Sequence, residues 1–338
     1  MKKITAILLT MMITASLQAF ATGIAVQPTF YSRTNAQDRV WVGTFQLVWN
    51  DFMDKIIHNP VRFREGTPII AQELNKRTFS TDDISEKSFY KYTGKVTKNT
   101  KKQIKKALKK KFKETSDILD KLDLSPQNDM FIIYTMLKKD FEFINEFDKL
   151  EKSAFKQNKD VEFFGIDKNS DNKLDKGVSV LFYNNPNDFA VMLSTRNNDE
   201  VFLYKNASNK AFNYIWADMQ KKHKTFKGES SFKNLDELKV PNISFFEEKA
   251  FDELTNKRIM GTNYIISQAI ETIKFDMDNK GVKLKSEAAM TVMTTALLPE
   301  NTSRKFYFDD TFVIFLKEKQ KQKPYFALRV NDISKFQN

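Results

Sequence analysis

Two histidines, His58 and His223, and no cysteine are this chain's whole supply of the side chains that most often serve as bases, nucleophiles or zinc ligands. His58 stands just before Pro60, and His223 sits inside "KKHK"; neither has a nucleophile or ligand pattern beside it. Both read as exposed polar residues, which argues against a zinc site and a Ser-His-Asp hydrolase. Carboxylates are spread along the chain and their pairing is spatial, so an envelope enzyme using two of them remains a third reading. Gly is scarce, and neither G-x-G-x-x-G nor a P-loop occurs, so no phosphate cradle is available. The expectation is a protein that is not an enzyme and carries no cofactor.

Two further runs could bind ions. In "DKNSDNKLDKG" (167–177), Asp167, Asn169, Asp171 and Asp175 match alternate positions of a calcium loop, and Leu174 fits its apolar position. Asn172 stands where Gly is expected and Val178 where the bidentate Glu belongs. A polar hairpin turn is therefore the preferred reading, and a metal site the weaker one. The second run is basic: Lys101, Lys102, Lys105, Lys106, Lys109, Lys110, Lys111 and Lys113 surround one apolar stripe. Such a face suits polyanions or lipid headgroups, or is simply solvated. Without interleaved aromatic residues it offers no base stacking, so no nucleic acid is expected.

The elements that must position these residues begin after an export signal. "MKKITAILLTMMITASLQAFATG" carries Lys2 and Lys3, an apolar run and Ala19-Phe20-Ala21, so cleavage is expected after Ala21 and the location is secreted or periplasmic. Removing Lys2 and Lys3 lowers the formal charge of +12 by two, leaving a basic chain. With 31 Phe and no Cys, the mature protein must hold together by its core alone. Residues 22–338 are expected to form a single, monomeric domain.

Residues 22–38 read as extended and 40–59 as a helix, with apolar residues at 45, 48, 49, 52, 53, 56 and 57. Residues 78–100 give no clear pattern. Thr100 can cap a helix over 101–122, with Ile104, Ala107, Leu108, Phe112, Ile118, Leu119 and Leu122 as its buried stripe. "MFIIYTML" (130–137) reads as a fully buried strand. "DVEFFGI", "GVSVLFYNN" and "DFAVMLST" follow as strands, then a helix over 209–222. "LDELKVPNISFF" reads as strand and "EEKAFDELTNKRI" as a short helix. Strands follow at 268–278, 305–318 and 325–330. Helices come early and strands late, without βαβ alternation, which predicts an α+β fold with mainly antiparallel sheets and helices packed on them.

One segment does not fit that plan. "GVKLKSEAAMTVMTTALLPENTSRKF" (281–306) lies between two strands, yet its middle is Ala, Thr, Val and Met with no Gly. Alternation would put Ser286, Ala288, Met290, Val292, Thr294 and Ala296 on one face, and Glu287, Ala289, Thr291, Met293 and Thr295 on the other. It reads as a strand without a sheet.

Five stretches, in order over about residues 100–335, resemble serpins. "KKQIKKALKKKFKETSDILDKLDLSPQNDMFIIYTMLKKDFEF" resembles their helix, Leu-rich turn and buried central strand. "GVSVLFYNNPNDFAVMLST" is similar to V-x-x-L-P-Y-x-x-x-x-x-S-M-x-I-x-L-P, and "ELKVPNISFFEEKAFDELTNKRIMGTN" to V-x-x-P-K-F-x-I-x-x-x-x-x-L-x-x-x-L-x-x-L-G-M. "QAIETIKFDMDNKGVKLKSEAA" resembles H-K-A-x-x-E-V-N-E-x-G-T-E-A-A, and "FYFDDTFVIFLKEKQKQKPYFALRVND" resembles the serpin close. Residues 22–99 show no such match and are expected to be a divergent helical part.

The resemblance implies an exposed reactive loop at about 286–304, cut by a target protease of serine or cysteine type and then inserted into the main sheet as a new strand. It implies a hinge of Ser286, Glu287, Ala288, Ala289, Met290, Thr291 and Val292. The cut would fall among Thr295, Ala296, Leu297, Leu298, Pro299 and Glu300, where Pro299 favours Leu297 or Leu298 as bait. Several positions depart from the family. Tyr134 stands for Asn in the buried strand, Gln268 for His, and Phe141 for the Trp near the insertion point. Gly43-Thr44-Phe45-Gln46 takes the place of Ser-Pro-x-Ser. The leading expectation is an exported suicide-substrate protease inhibitor. The second keeps the fold and assigns Lys101, Lys102, Lys105, Lys106, Lys109, Lys110 and Lys113 to polyanion or membrane-surface binding.

Overall fold

Alternating apolar residues put most of this chain into sheets, as the computed structural model shows for residues 23–125, 130–283 and 304–337. Its strands are numbered β1 to β17 along the chain. Seven form one sheet in the order β1 (Ala25–Gln27), β2 (Arg39–Val42), β17 (Phe326–Val330), β16 (Phe312–Glu318), β10 (Asp199–Lys205), β9 (Asp188–Ser194) and β8 (Val178–Asn185). Only β1–β2 is parallel in it. β16 and β17 are covered on both faces, which is why "FVIFL" and "FALRV" run apolar without alternation. The β8–β9 hairpin closes between Asn185 and Asp188, where the Asn187 amide donates to the Asn185 side chain at 2.9 Å.

A second sheet orders β15 (Lys305–Tyr307), β11 (Glu237–Pro241), β7 (Asn158–Ile166) and β6 (Asp148–Phe155). A third orders β12 (Ile243–Ala250), β13 (Ile270–Met277), β14 (Gly281–Lys283) and β5 (Asp140–Glu142). The last pairs β3 (Phe89–Lys95) with β4 (Phe131–Leu137), and β4 leads through Lys138 and Lys139 directly into β5. Among the described residues, four α-helices accompany these sheets: α1 (Thr44–Phe52), α2 (Ile69–Leu74), α3 (Thr100–Phe112) and α4 (Phe212–Thr225). The α+β architecture with mainly antiparallel sheets is thus the observed one.

One large core joins the sheets, and a smaller one lies between α3 and the β3–β4 pair. In the smaller core Ile104 and Leu108 of α3 pack with Leu119, Ile132 and Tyr134.

Several boundaries differ from those read in the sequence. The helix expected over 40–59 is a strand, β2, then a turn at Gly43 and then α1. A Cβ on Gly43 would sit 2.2 Å from the Phe79 ring, so only glycine lets the chain turn there. A π-helical turn, Met53–Ile57, extends α1 and ends at His58 in the left-handed conformation. The lysine helix stops at Phe112 rather than 122, because Lys113 is left-handed (φ 59°) and redirects the chain. β4 forms as expected but is only half-buried. "LDELKVPNISFF" is divided into β11 and β12 at Asn242. Residues 247–250 finish β12, leaving a single 3-10 turn, Asp252–Leu254, of the helix expected there. Residues 22–99, expected to be helical, also contribute β1, β2 and β3; tertiary pairing overrode weak local preference.

Candidate functional site

Among the described residues, β4 and β13 each have one edge wholly or largely without a strand partner. Among them β4 bonds only β3. β13 bonds β12 along its whole length, but on its other side it meets β14 only at Asp276 and Met277. Among the described residues, the second edges of Phe131–Leu137 and of residues 270–275 are therefore open. At one end the two strands are joined through β14, which pairs antiparallel with both β13 and β5. Below that junction lies a slot with a cavity of about 310 Å³. Open edges present rows of unpaired N–H and C=O groups, which favours addition of a strand.

The floor of the slot is α1. Phe45, Trp49 and Phe52 line the cavity there, with Ile133 and Leu137 from β4 and Ile273 from β13 on either side. Alternation places Glu271, Ile273, Phe275 and Met277 of β13 toward the core, and all four are buried.

Thr44, Thr135 and Glu271 are among the polar residues that line this space. Glu271 is 5% exposed, and neither of its carboxylate oxygens has a hydrogen-bond partner; nor does the Thr135 hydroxyl. Burial pushes the Glu271 carboxyl up to about 8, opposed by the nearby Phe45 amide and Thr44 hydroxyl at the start of α1. Those two donors lie close enough to act electrostatically, yet outside hydrogen-bond geometry. A lone acid in the buried register of an alternating strand was visible in "AIETIKFDM" and was not read as a site residue.

The outer side of the slot is crossed by the segment that follows α3. Residues 114–118 and 122–124 line the cavity. The Tyr134 hydroxyl donates to Ser116 Oγ at 3.2 Å, and the Asp123 amide donates to Gln268 Oε1 at 3.0 Å. Lys121 pairs with Glu248 of β12. Asp120 accepts Lys101 at 2.7 Å and Lys105 at 2.8 Å, tying the segment back to α3. These contacts span the slot from the β4 side to the β13 side.

The residues singled out in the sequence are scattered by this geometry. Ser286 to Val292 and Thr295 to Glu300 lie outside the described residues, as does the export signal. Of the lysines, Lys101 and Lys105 are paired, whereas Lys102, Lys106, Lys109, Lys110 and Lys113 are exposed and make no ion pair among the described residues. Asp167 accepts the Asn169 amide at 2.8 Å, and Asp171 the Lys173 amide at 2.9 Å, so this run folds as a turn and a 3-10 helix. Asp175 is partly buried, which raises its carboxyl, and no group of three potential ligands gathers among the described residues. His58 is exposed, and a His223 ring nitrogen is 3.0 Å from the Leu181 carbonyl.

Of the departures noted above, Tyr134 packs toward α3, Gln268 holds the crossing segment, and Phe141 is buried opposite Val282. Thr135 and Glu271 in the same two stretches also line the slot, and they are the ones buried there without a hydrogen-bond partner.

No family model and no curated protein matches this chain. Among solved structures, it is similar to thyroxine-binding globulin in complex with thyroxine at 15% identity and a TM-score of 0.43, covering 68% of this chain. The match spans 63% of that protein, less than two thirds of its length. A human thyroxine-binding globulin complex is similar at 13% identity, with a TM-score of 0.40 and coverage of 74% and 77% of the two chains. Serpin48, described as a highly specific serpin of the insect Tenebrio molitor, is similar at 14% identity and a TM-score of 0.43, over 90% of this chain and 94% of that one. The solved structures that this chain is similar to are serpins, at low identity.

Proposed function

We propose that this chain is an exported, serpin-like protease inhibitor whose segment at about 286–304 is bait for a serine or cysteine protease. The observation that carries this reading is β14. It leaves β13 by a tight turn, enters between β13 and β5, and points down the slot between the two open edges. Continuing both ladders past Lys283 in register would set Ser286 opposite Ile273 and Leu137, and Ala288 opposite Glu271 and Thr135. The small residues of the alternating set would then face the floor, as burial there requires.

In this reading the protease nucleophile attacks a peptide carbonyl between Thr295 and Glu300 and forms an acyl-enzyme. The amine-side fragment leaves, and the freed strand enters the slot before water can resolve the ester or thioester. Eight inserted residues add about eight net hydrogen bonds at roughly 1 kcal/mol each, besides apolar burial. At about 2–4 °C per kcal/mol for a domain of this order, unfolding would shift upward by well over 10 °C.

The test is a thermal melt before and after nicking residues 286–304 with a non-target protease. A large upward shift with both fragments associated is expected, followed by denaturant-resistant complexes when proteases are screened. An unchanged or lowered melting temperature after complete nicking would remove suicide inhibition. A second reading then leads, favoured by the exposed lysines of α3: binding of polyanions. It predicts salt-dependent retention on an anionic column that is lost when Lys102, Lys106, Lys109 and Lys110 become Glu.

A further inference from the structure

We infer that the cavity between β4 and β13 is a binding site for a small amphipathic amine, its ammonium group paired with Glu271 and its apolar body lying against Phe45, Trp49 and Ile273. The site does not depend on strand insertion; the two occupants would compete for one space.

The first ground is the acid itself. Glu271 is 5% exposed, lines the cavity, and both its oxygens lack hydrogen-bond partners. An unpaired buried carboxylate is costly, and a cation brought to it removes that cost. The Thr135 hydroxyl, on the β4 side of the same cavity, is also unpartnered and offers a further acceptor to a bound polar group.

Charge complementarity is the second ground. Although the chain carries +12, the charged residues lining this cavity are Glu114, Asp117, Asp123 and Glu271 against Lys138 and Lys274. Lys138 is already paired with Glu114 at 2.9 Å. Among the described residues, α1 contributes no charged group to the lining, and neither does the 264–270 segment; Glu271 within and Asp117 and Asp123 on the crossing segment face Lys274 alone, an excess of two acids. The cavity therefore attracts cations in a protein that otherwise repels them.

Shape and polarity narrow the class. About 310 Å³ is at the small end of ligand pockets. Much of the remaining lining, with Phe45, Val48, Trp49 and Phe52 below and Ile133 and Ile273 at the sides, is aromatic or aliphatic, which suits a short hydrocarbon body. A fatty acid would bring a second negative charge to Glu271, and a plain hydrocarbon would leave the acid unpaired. A single amine on an apolar chain satisfies both halves of the site.

Proton linkage gives this proposal a distinct signature. Burial keeps the empty site's carboxyl protonated up to about pH 8, whereas the bound form needs it ionised. Binding near neutral pH must then release close to one proton, and affinity must fall by about tenfold for each pH unit below that point.

Calorimetric titration of the full, uncut chain with octylamine tests this. Saturable binding at one site is expected, with about one proton released when buffers of different ionisation enthalpy are compared, and with weaker binding one pH unit lower. Octanoate should give no saturable binding, and Glu271→Gln should weaken octylamine at least about tenfold while a melt shows the variant folded. Absence of saturable octylamine binding, or binding without proton release, would overturn the proposal even if the variant failed to fold. Equal affinity of the folded variant would also overturn it.

Discussion

Val282 faces Phe141 across an antiparallel ladder, and both side chains are buried in the main core. The contact depends on the residue before it. A Cβ on Gly281 would stand 2.2 Å from the Phe141 carbonyl oxygen and 2.8 Å from the Glu142 Cα. These are backbone atoms and cannot swing aside, so β14 reaches β5 only because residue 281 has no side chain.

Gly281→Ala should therefore part β14 from β5. A loss of about 1–3 kcal/mol in urea unfolding is expected, the range for steric overpacking. Amide exchange should quicken in 141–143 and 281–283, where Phe143 N–H donates to the Lys280 carbonyl at 2.9 Å. Unaltered exchange in both stretches would show that the junction does not need the glycine.

Glu271 should make the protein less stable as pH rises. Its folded carboxyl titrates at about 8 against an ordinary value of 4.5, so between those values the native state holds a proton that the unfolded state has lost. Stability then falls with increasing pH across that window, by up to about 1.4 kcal/mol per unit, and is level again above it. Glu271→Gln should abolish the slope and exceed the wild type in stability on the alkaline side. Urea midpoints at both ends of the window measure this, and parallel pH profiles for the two proteins would contradict it.

Lys139, between β4 and β5, fastens this layer to the seven-stranded sheet. Its Nζ is 2.8 Å from Asp199 Oδ1 and 2.6 Å from Glu318 Oε1, and all three side chains are buried. Tyr325 donates its hydroxyl to Asp199 at 2.9 Å, and Ser88 donates to Glu318 at 3.1 Å. Lys139→Met should cost about 3–5 kcal/mol, since it leaves two buried carboxylates without their cation. Adding Asp199→Asn and Glu318→Gln should recover much of that loss. A single variant as stable as the wild type would mean that the cluster is not coupled to folding.

Strand identity was legible because alternation is local. The burial of β13 follows its own sequence, with Glu271, Ile273, Phe275 and Met277 on one face and Ile270, Thr272, Lys274 and Asp276 on the other. Local sequence also located β8, β9 and β16, through the apolar runs of "DFAVMLS" and "FVIFL" and the Asn-rich turn at 184–187. It also marked the segment after β14 as strand-like. The end of the lysine helix was less legible, since Lys113 takes a left-handed conformation that no Gly or Pro at that position announces.

Tertiary structure alone decided which edges lack partners, because pairing joins residues far apart in sequence. Nothing in "MFIIYTML" or "QAIETIKFDMD" says that among the described residues these strands meet only through β14 and β5, with α1 beneath and residues 114–124 across the top. For the same reason the sequence pointed to Tyr134 and Gln268, which bond the crossing segment, while the unpartnered polar groups of the slot are Thr135 and Glu271: motif position gives the neighbourhood, but strand register decides which side chain turns inward.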